Sequence, residues 1–135
     1  MSPAAVAELR DVAGAEFGKD YVPEKPNFFT QVQKNAQEAH EAIRPTEAGI
    51  LPQAVANRLG AGSDEARLYR LIWARTMASQ MSPAVTKRVQ ADVRSEEHQL
   101  RLKATGSRLI FPGYLAAYRH GVSDGTDLAS FGDND

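Results

Sequence analysis

The chain has 135 residues, 42% of them hydrophobic and 24% charged, and a formal net charge of −1, which suits one ordinary domain, or parts of two, burying roughly two thirds of the unfolded surface. No apolar run approaches the ~20 residues of a membrane helix, and no signal-peptide pattern opens the chain. The absence of cysteine excludes a disulfide framework, a thiolate zinc site and a cysteine nucleophile, and fits a cytoplasmic protein.

The near-zero total conceals a segregation of charge. Residues 1–66 carry six basic and ten acidic side chains, residues 67–119 ten basic and three acidic, and residues 120–135 four Asp without Lys or Arg. The middle block could attract a polyanion or be a solvated β-surface, and charge alone leaves both open.

In chain order, Ser2 ahead of Pro3 is a helix start, with a capping hydroxyl and a proline where no backbone donor is missed. Val6, Leu9, Ala13 and Phe17 then recur at helical spacing, and Gly18 can end the helix with a positive φ in the left-handed region. The stretch KDYVPEKPNFF reads as an extended connector, with Phe28 and Phe29 as loop anchors in preference to surfaces for aromatic stacking. NAQEAHEAIR predicts a helix over residues 35–44 that presents Gln37, His40, Glu41 and Arg44 on one side; Pro45 stops it. Pro52 opens a short helix to about Leu59, ended by Gly60 and Gly62.

Ser63 or Asp64 caps the strongest helix, DEARLYRLIWARTMASQM, with Leu68, Leu71, Ile72 and Trp73 expected in the core. Past Ser82-Pro83 the period changes from 3.6 to 2. Val85, Lys87, Val89, Ala91 and Val93 alternate with polar partners, SEEH makes a turn, and Leu100, Leu102 and Ala104 share the face of a second strand. Gly106-Ser107 is read as another turn, before a third short strand, RLIF. Residues 120–135 are acidic and poor in aliphatics, and disorder is expected there. The fold class is therefore α+β, with a helical part over 1–82, a β-rich part over 83–119 and a tail over 120–135.

The chemical motifs are sparse. HEAIR lacks the second histidine of a zinc-protease helix, because position 44 is Arg, and there is no phosphate loop, dinucleotide turn or nucleophile elbow. No metal site is expected. Arg44 offers a fork of donors suited to phosphate, and His40 can donate to the same group from one turn away. Spacing alone favours the plainer reading, a self-satisfied surface cluster of His40 and Arg44 with Glu38 and Glu41.

QEAHEAIRPT at 37–46, RLYRLIWARTMASQM at 67–81 and RLKATGSRLIFPGYLAAY at 101–118 together resemble the bacterial type IA DNA topoisomerases, in the right order over roughly residues 2–119. The resemblance implies an enzyme that relaxes negatively supercoiled DNA, in which a tyrosine attacks a phosphodiester of a single strand and the other strand passes through the break. It identifies residues 1–82 with the helical gate domain and 83–119 with the start of the β-rich arch domain. His40 matches the family's active-site histidine near the scissile phosphate, with Arg44 and Glu41 in the same signature and Gln37 beside them as DNA contacts. The family's Tyr-Met-Arg-Thr-Asp-Ser motif would lie just upstream of Met1-Ser2-Pro3, and Tyr21, Tyr69, Tyr114 and Tyr118 match non-nucleophilic positions. The Mg2+ that serves the family reaction would likewise be held by ligands outside this chain. The expected partners are DNA with a single-stranded region and the remaining topoisomerase domains, and no membrane. The chain alone is expected to be inactive. The alternative is a stand-alone single-stranded DNA-binding module.

Overall fold

A computed structural model describes residues 1–29, 42–95, 97 and 100–120. The first helix, α1, spans Pro3–Phe17, and the Ser2 hydroxyl accepts from the Ala5 N–H at 3.3 Å. Ala5, Val6, Leu9 and Ala13 form its buried stripe, as the three- and four-residue spacing requires. Gly18 ends it at φ 101°, ψ 165°, and its N–H still reaches the Gly14 carbonyl. The ψ value lies outside the left-handed helical basin expected for this residue, in an extended region that only glycine occupies readily.

A 3-10 turn, Lys19–Tyr21, leads into the extended connector. Arg10 on α1 donates to the Pro23 carbonyl at 2.7 Å. The connector's main fastener is Asn27. Its side-chain amide donates to the carbonyls of Ser79 and Met81, and its backbone exchanges hydrogen bonds with the Gln80 side chain. Phe28 and Phe29 are 73% and 75% exposed, so the aromatic anchors expected here are replaced by a polar clamp. The clamp satisfies carbonyls at the end of the next long helix, which otherwise lack partners.

The expected helix over 35–44 falls mostly on residues 30–41, outside the described residues. Residues 42–46 are described and are not helical. Helix α2 is Pro52–Leu59 and α3 is Asp64–Ser79. Ser63 caps α3 by accepting from the Ala66 N–H, and Asp64 and Glu65 complement the helix dipole in its first turn.

The buried side of α3 carries Ala66, Trp73, Ala74, Thr76 and Met77, while Leu68 and Leu71 are 58% and 60% exposed. These two leucines therefore lie outside the core in which their spacing places them. The helix is rotated so that its largest side chain, Trp73, is sealed inside and its indole N–H donates to the Ala48 carbonyl at 2.9 Å. Leu9, Ala13, Ala48, Trp73, Ala74, Met77, Met81 and Ala117 make one apolar cluster, with Phe17 and Tyr21 against it.

Beyond Pro83 the chain forms one antiparallel ribbon, β1 (Val85–Ser95) paired with β2 (Leu100–Phe111). Glu96 and His98 of the SEEH turn expected between them, and the tail beyond residue 120, lie outside the described residues. The turn expected at Gly106-Ser107 does not occur. Gly106 pairs with Val89 and Ser107 with Arg88, so the expected third strand is the continuation of β2. An eleven-residue partner offers a ladder position to every residue of this stretch except Ile110, which the register skips, and one glycine inside a strand weakens it without ending it. Both faces of the ribbon are exposed.

At its base, Ser82 donates through its N–H to the Tyr21 carbonyl and through its hydroxyl to that of Asp20, and the Tyr114 N–H donates to the Ser82 carbonyl. Gly113, at φ 50°, allows this close return, because a Cβ there would sit 2.4 Å from the Pro83 oxygen. A short helix, α4 (Leu115–Arg119), which periodicity does not reveal, then returns Ala117 to the core. The whole is an α+β fold.

Candidate nucleic-acid interface

Of the anion-recognition set, Arg44 is described and Gln37, His40 and Glu41 lie outside the described residues. Arg44 is half-buried, follows an exposed Ile43 and precedes a buried Pro45, and its Nη1 donates to the Pro45 carbonyl at 3.1 Å. It therefore projects from non-helical backbone rather than from a helical turn. Pro45 explains that conformation, since it pushes the preceding residue out of the α region.

The segments that border residues 30–41 converge. Phe29 on one side and Ala42 with Ile43 on the other meet Arg75 of α3 and Tyr114 and Tyr118 around a cavity of about 460 Å³. An adjoining cleft of about 400 Å³ adds Phe28, Asn27 and Met81. Aromatic rings next to a guanidinium form a surface on which nucleobases can stack while a phosphate is neutralised. A third cavity, of about 720 Å³, opens between α2 and α3 beside the exposed Leu68 and Leu71, with Arg67 and Arg70 on its wall. Arg67 is engaged by Asp64 at 3.4 Å in a solvent-exposed pair.

The tyrosines are structural wherever their hydroxyls are engaged. Tyr69 donates to the Ile50 carbonyl at 2.6 Å, and burial, aided by the charge of Glu47, pushes its pKa above the usual tyrosine value. A hydroxyl that resists ionisation is a poor nucleophile. Among the described residues no group of three or more His, Asp or Glu side chains converges to hold a metal, so these residues do not fit a Mg2+ site. No helix among the described residues is long and apolar enough to cross a membrane.

Sequence reasoning passes over Asn27, Gln80 and Glu8. Glu8 accepts from the Ala48 N–H at 2.7 Å and so fixes the strand of chain that follows Arg44. The signal available for Gln80 is its position next to Met77 and Met81 at the end of an apolar stripe, where a polar side chain must have partners.

The family model for DNA topoisomerase matches residues 1–135. This chain belongs to the bacterial type IA DNA topoisomerase family. It is 44% identical over 122 residues to a DNA topoisomerase 1 of Xylella fastidiosa, covering 90% of this chain and 14% of that protein. It is 42% identical over 127 residues to that of Mycobacterium leprae, covering 92% and 13%. Among solved structures, full-length topoisomerase I from Thermotoga maritima superposes with a TM-score of 0.69 at 31% identity, over 95% of this chain and 19% of that one. The chain thus spans about one seventh of the length of these curated topoisomerases.

Proposed function

We propose that this chain serves as one portion of a type IA topoisomerase that relaxes negatively supercoiled DNA by transient cleavage of a single strand and strand passage. In this reading His40, Arg44, Glu41 and Gln37 contact the DNA around the scissile phosphate, while the nucleophilic tyrosine and the Mg2+ ligands come from other parts of the enzyme. The observation that carries it is the family match over all 135 residues, which includes the QEAHEAIRPT block. Arg44, half-buried with one nitrogen tied to the Pro45 carbonyl, is a pre-oriented cation of the kind that binds phosphate. Without a nucleophile, positioning cannot cleave a strand.

The purified chain with Mg2+ should leave negatively supercoiled plasmid unrelaxed and form no covalent DNA adduct. Mixed with a tyrosine-bearing portion of the enzyme it should support relaxation, and His40→Ala or Arg44→Ala should reduce it. Relaxation by the chain alone, abolished by changing one of its own tyrosines, would overturn the proposal.

A second reading, a single-stranded DNA-binding module without catalysis, draws on the exposure of Phe28 and Phe29, the latter beside Arg75. Titration of a labelled single-stranded oligonucleotide at two salt concentrations tests it. Binding should fall with salt, and more with Arg44→Ala than with the remote Arg58→Ala.

A further inference from the structure

The register of the ribbon separates its side chains into two unlike faces. Val89, Ala91, Val93, Leu100, Leu102 and Ala104 fall on one; Arg88, Gln90, Asp92 and Arg94 of β1 fall on the other, opposite Ser107, Thr105, Lys103 and Arg101 of β2. This second face holds four cations against one carboxylate, interleaved with hydroxyl and amide groups. Arg94 and Arg101 are directly opposite each other near the tip, an arrangement that repels and weakens a strand pair. Neither guanidinium has an ion-pair partner among the described residues.

Charged side chains on a bare ribbon also discourage edge-to-edge pairing, but one cation suffices for that. A facing arginine pair at the exposed end of a ribbon is satisfied by an anion seated between the two forks.

We infer that the Arg88/Arg94/Arg101/Lys103 face of the ribbon binds the phosphodiester backbone of duplex DNA, with Arg94 and Arg101 straddling a phosphate. Arg88 and Arg94 are six residues apart on one strand, roughly 20 Å, which spans several consecutive phosphates. The face offers guanidinium, ammonium, amide and hydroxyl donors and no aromatic ring, so it suits backbone contacts without base stacking. The inference rests on the proposed function, but it names a surface that does not include Arg44 and a double-stranded ligand.

The test is fluorescence anisotropy of the full chain with a labelled duplex at low and moderate salt, alongside the single-stranded titration above. Arg94→Gln/Arg101→Gln should weaken duplex binding about tenfold or more and flatten the log–log salt dependence by about 1, near 0.9 for the one phosphate no longer neutralised. Lys87→Gln/Arg108→Gln removes the same charge from the opposite face and should cost much less. Circular dichroism should show both variants folded, as exposed positions require.

Equal weakening in the two double variants, or no duplex binding at low salt, overturns the inference. Neither result touches the proposed function, which fails instead if mixed relaxation is insensitive to His40 and Arg44.

Discussion

The indole N–H of Trp73 on α3 donates to the carbonyl of Ala48, while the N–H of the same Ala48 donates to Glu8 on α1. One residue of the segment that follows Arg44 is thereby held from both sides, so the start of the chain, its strongest helix and the candidate DNA contact share a single fastening.

Trp73→Ala should destabilise the chain by about 3–5 kcal/mol, the usual range for deleting a buried indole. Trp73→Phe keeps most of the apolar burial but leaves the Ala48 carbonyl unpaired, which should cost about 1–3 kcal/mol. Urea unfolding followed by circular dichroism measures both. Equal, negligible losses would show that the fastening carries no stability.

Gln80 is fully buried, with its amide committed to the Asn27 backbone. Gln80→Leu conserves volume approximately yet strands an N–H and a C=O, so about 1–3 kcal/mol should be lost despite the added hydrophobicity. Asn27→Ala should show a comparable loss and should not add fully to the first in the double variant, because the two residues form one network.

Tyr69 gives a signed pH prediction. Its pKa is raised in the folded chain above the ordinary tyrosine value, by burial first and the Glu47 charge second. The neutral hydroxyl is therefore the form that folding favours. Its contribution should be constant below the unfolded value of about 10 and lost as pH rises through the raised folded pKa. Tm measured from mildly to strongly alkaline pH should fall more steeply for the native sequence than for Tyr69→Phe, and tyrosinate absorbance should show a late-titrating group missing from that variant.

Gly113→Ala combines a positive φ with a Cβ clash against the Pro83 backbone. A loss of roughly 1–3 kcal/mol is expected from such strain. Hydrogen exchange should show faster exchange at the Tyr114 and Ser82 amides, which hold the ribbon's base, and little change in α1.

Local chemistry makes most of the helices legible. The Ser2-Pro3 start, Pro52 with its terminating glycines, and Ser63 ahead of two acids each act within one turn, and each element begins where its capping residue or first-turn proline predicts. The alternation through 85–93 is equally readable because strand patterning is also local.

The departures from that local logic are tertiary in origin. Leu68 and Leu71 are as apolar as the core residues, but α3 turns its Trp73 side inward, where the indole N–H meets the Ala48 carbonyl, and so leaves them exposed. Gly106 reads as a turn because nothing in its neighbours announces that β1 is long enough to pair with it. Phe28 and Phe29 read as anchors, yet a polar clamp with a residue 53 positions away does that work. In the candidate site, Arg44 is legible as the residue before a proline, while its helical setting is not, for the reason the proline itself supplies.

Where Ser82 and Tyr114 join, the polypeptide leaves the helical body and re-enters it at nearly the same point. Everything between them is an excursion whose two ends coincide, like a handle bolted through one plate. Its length can therefore change, two residues at a time, without altering the register in which α3 and α4 meet; evolution or an engineer could lengthen or clip the handle while the plate keeps its shape.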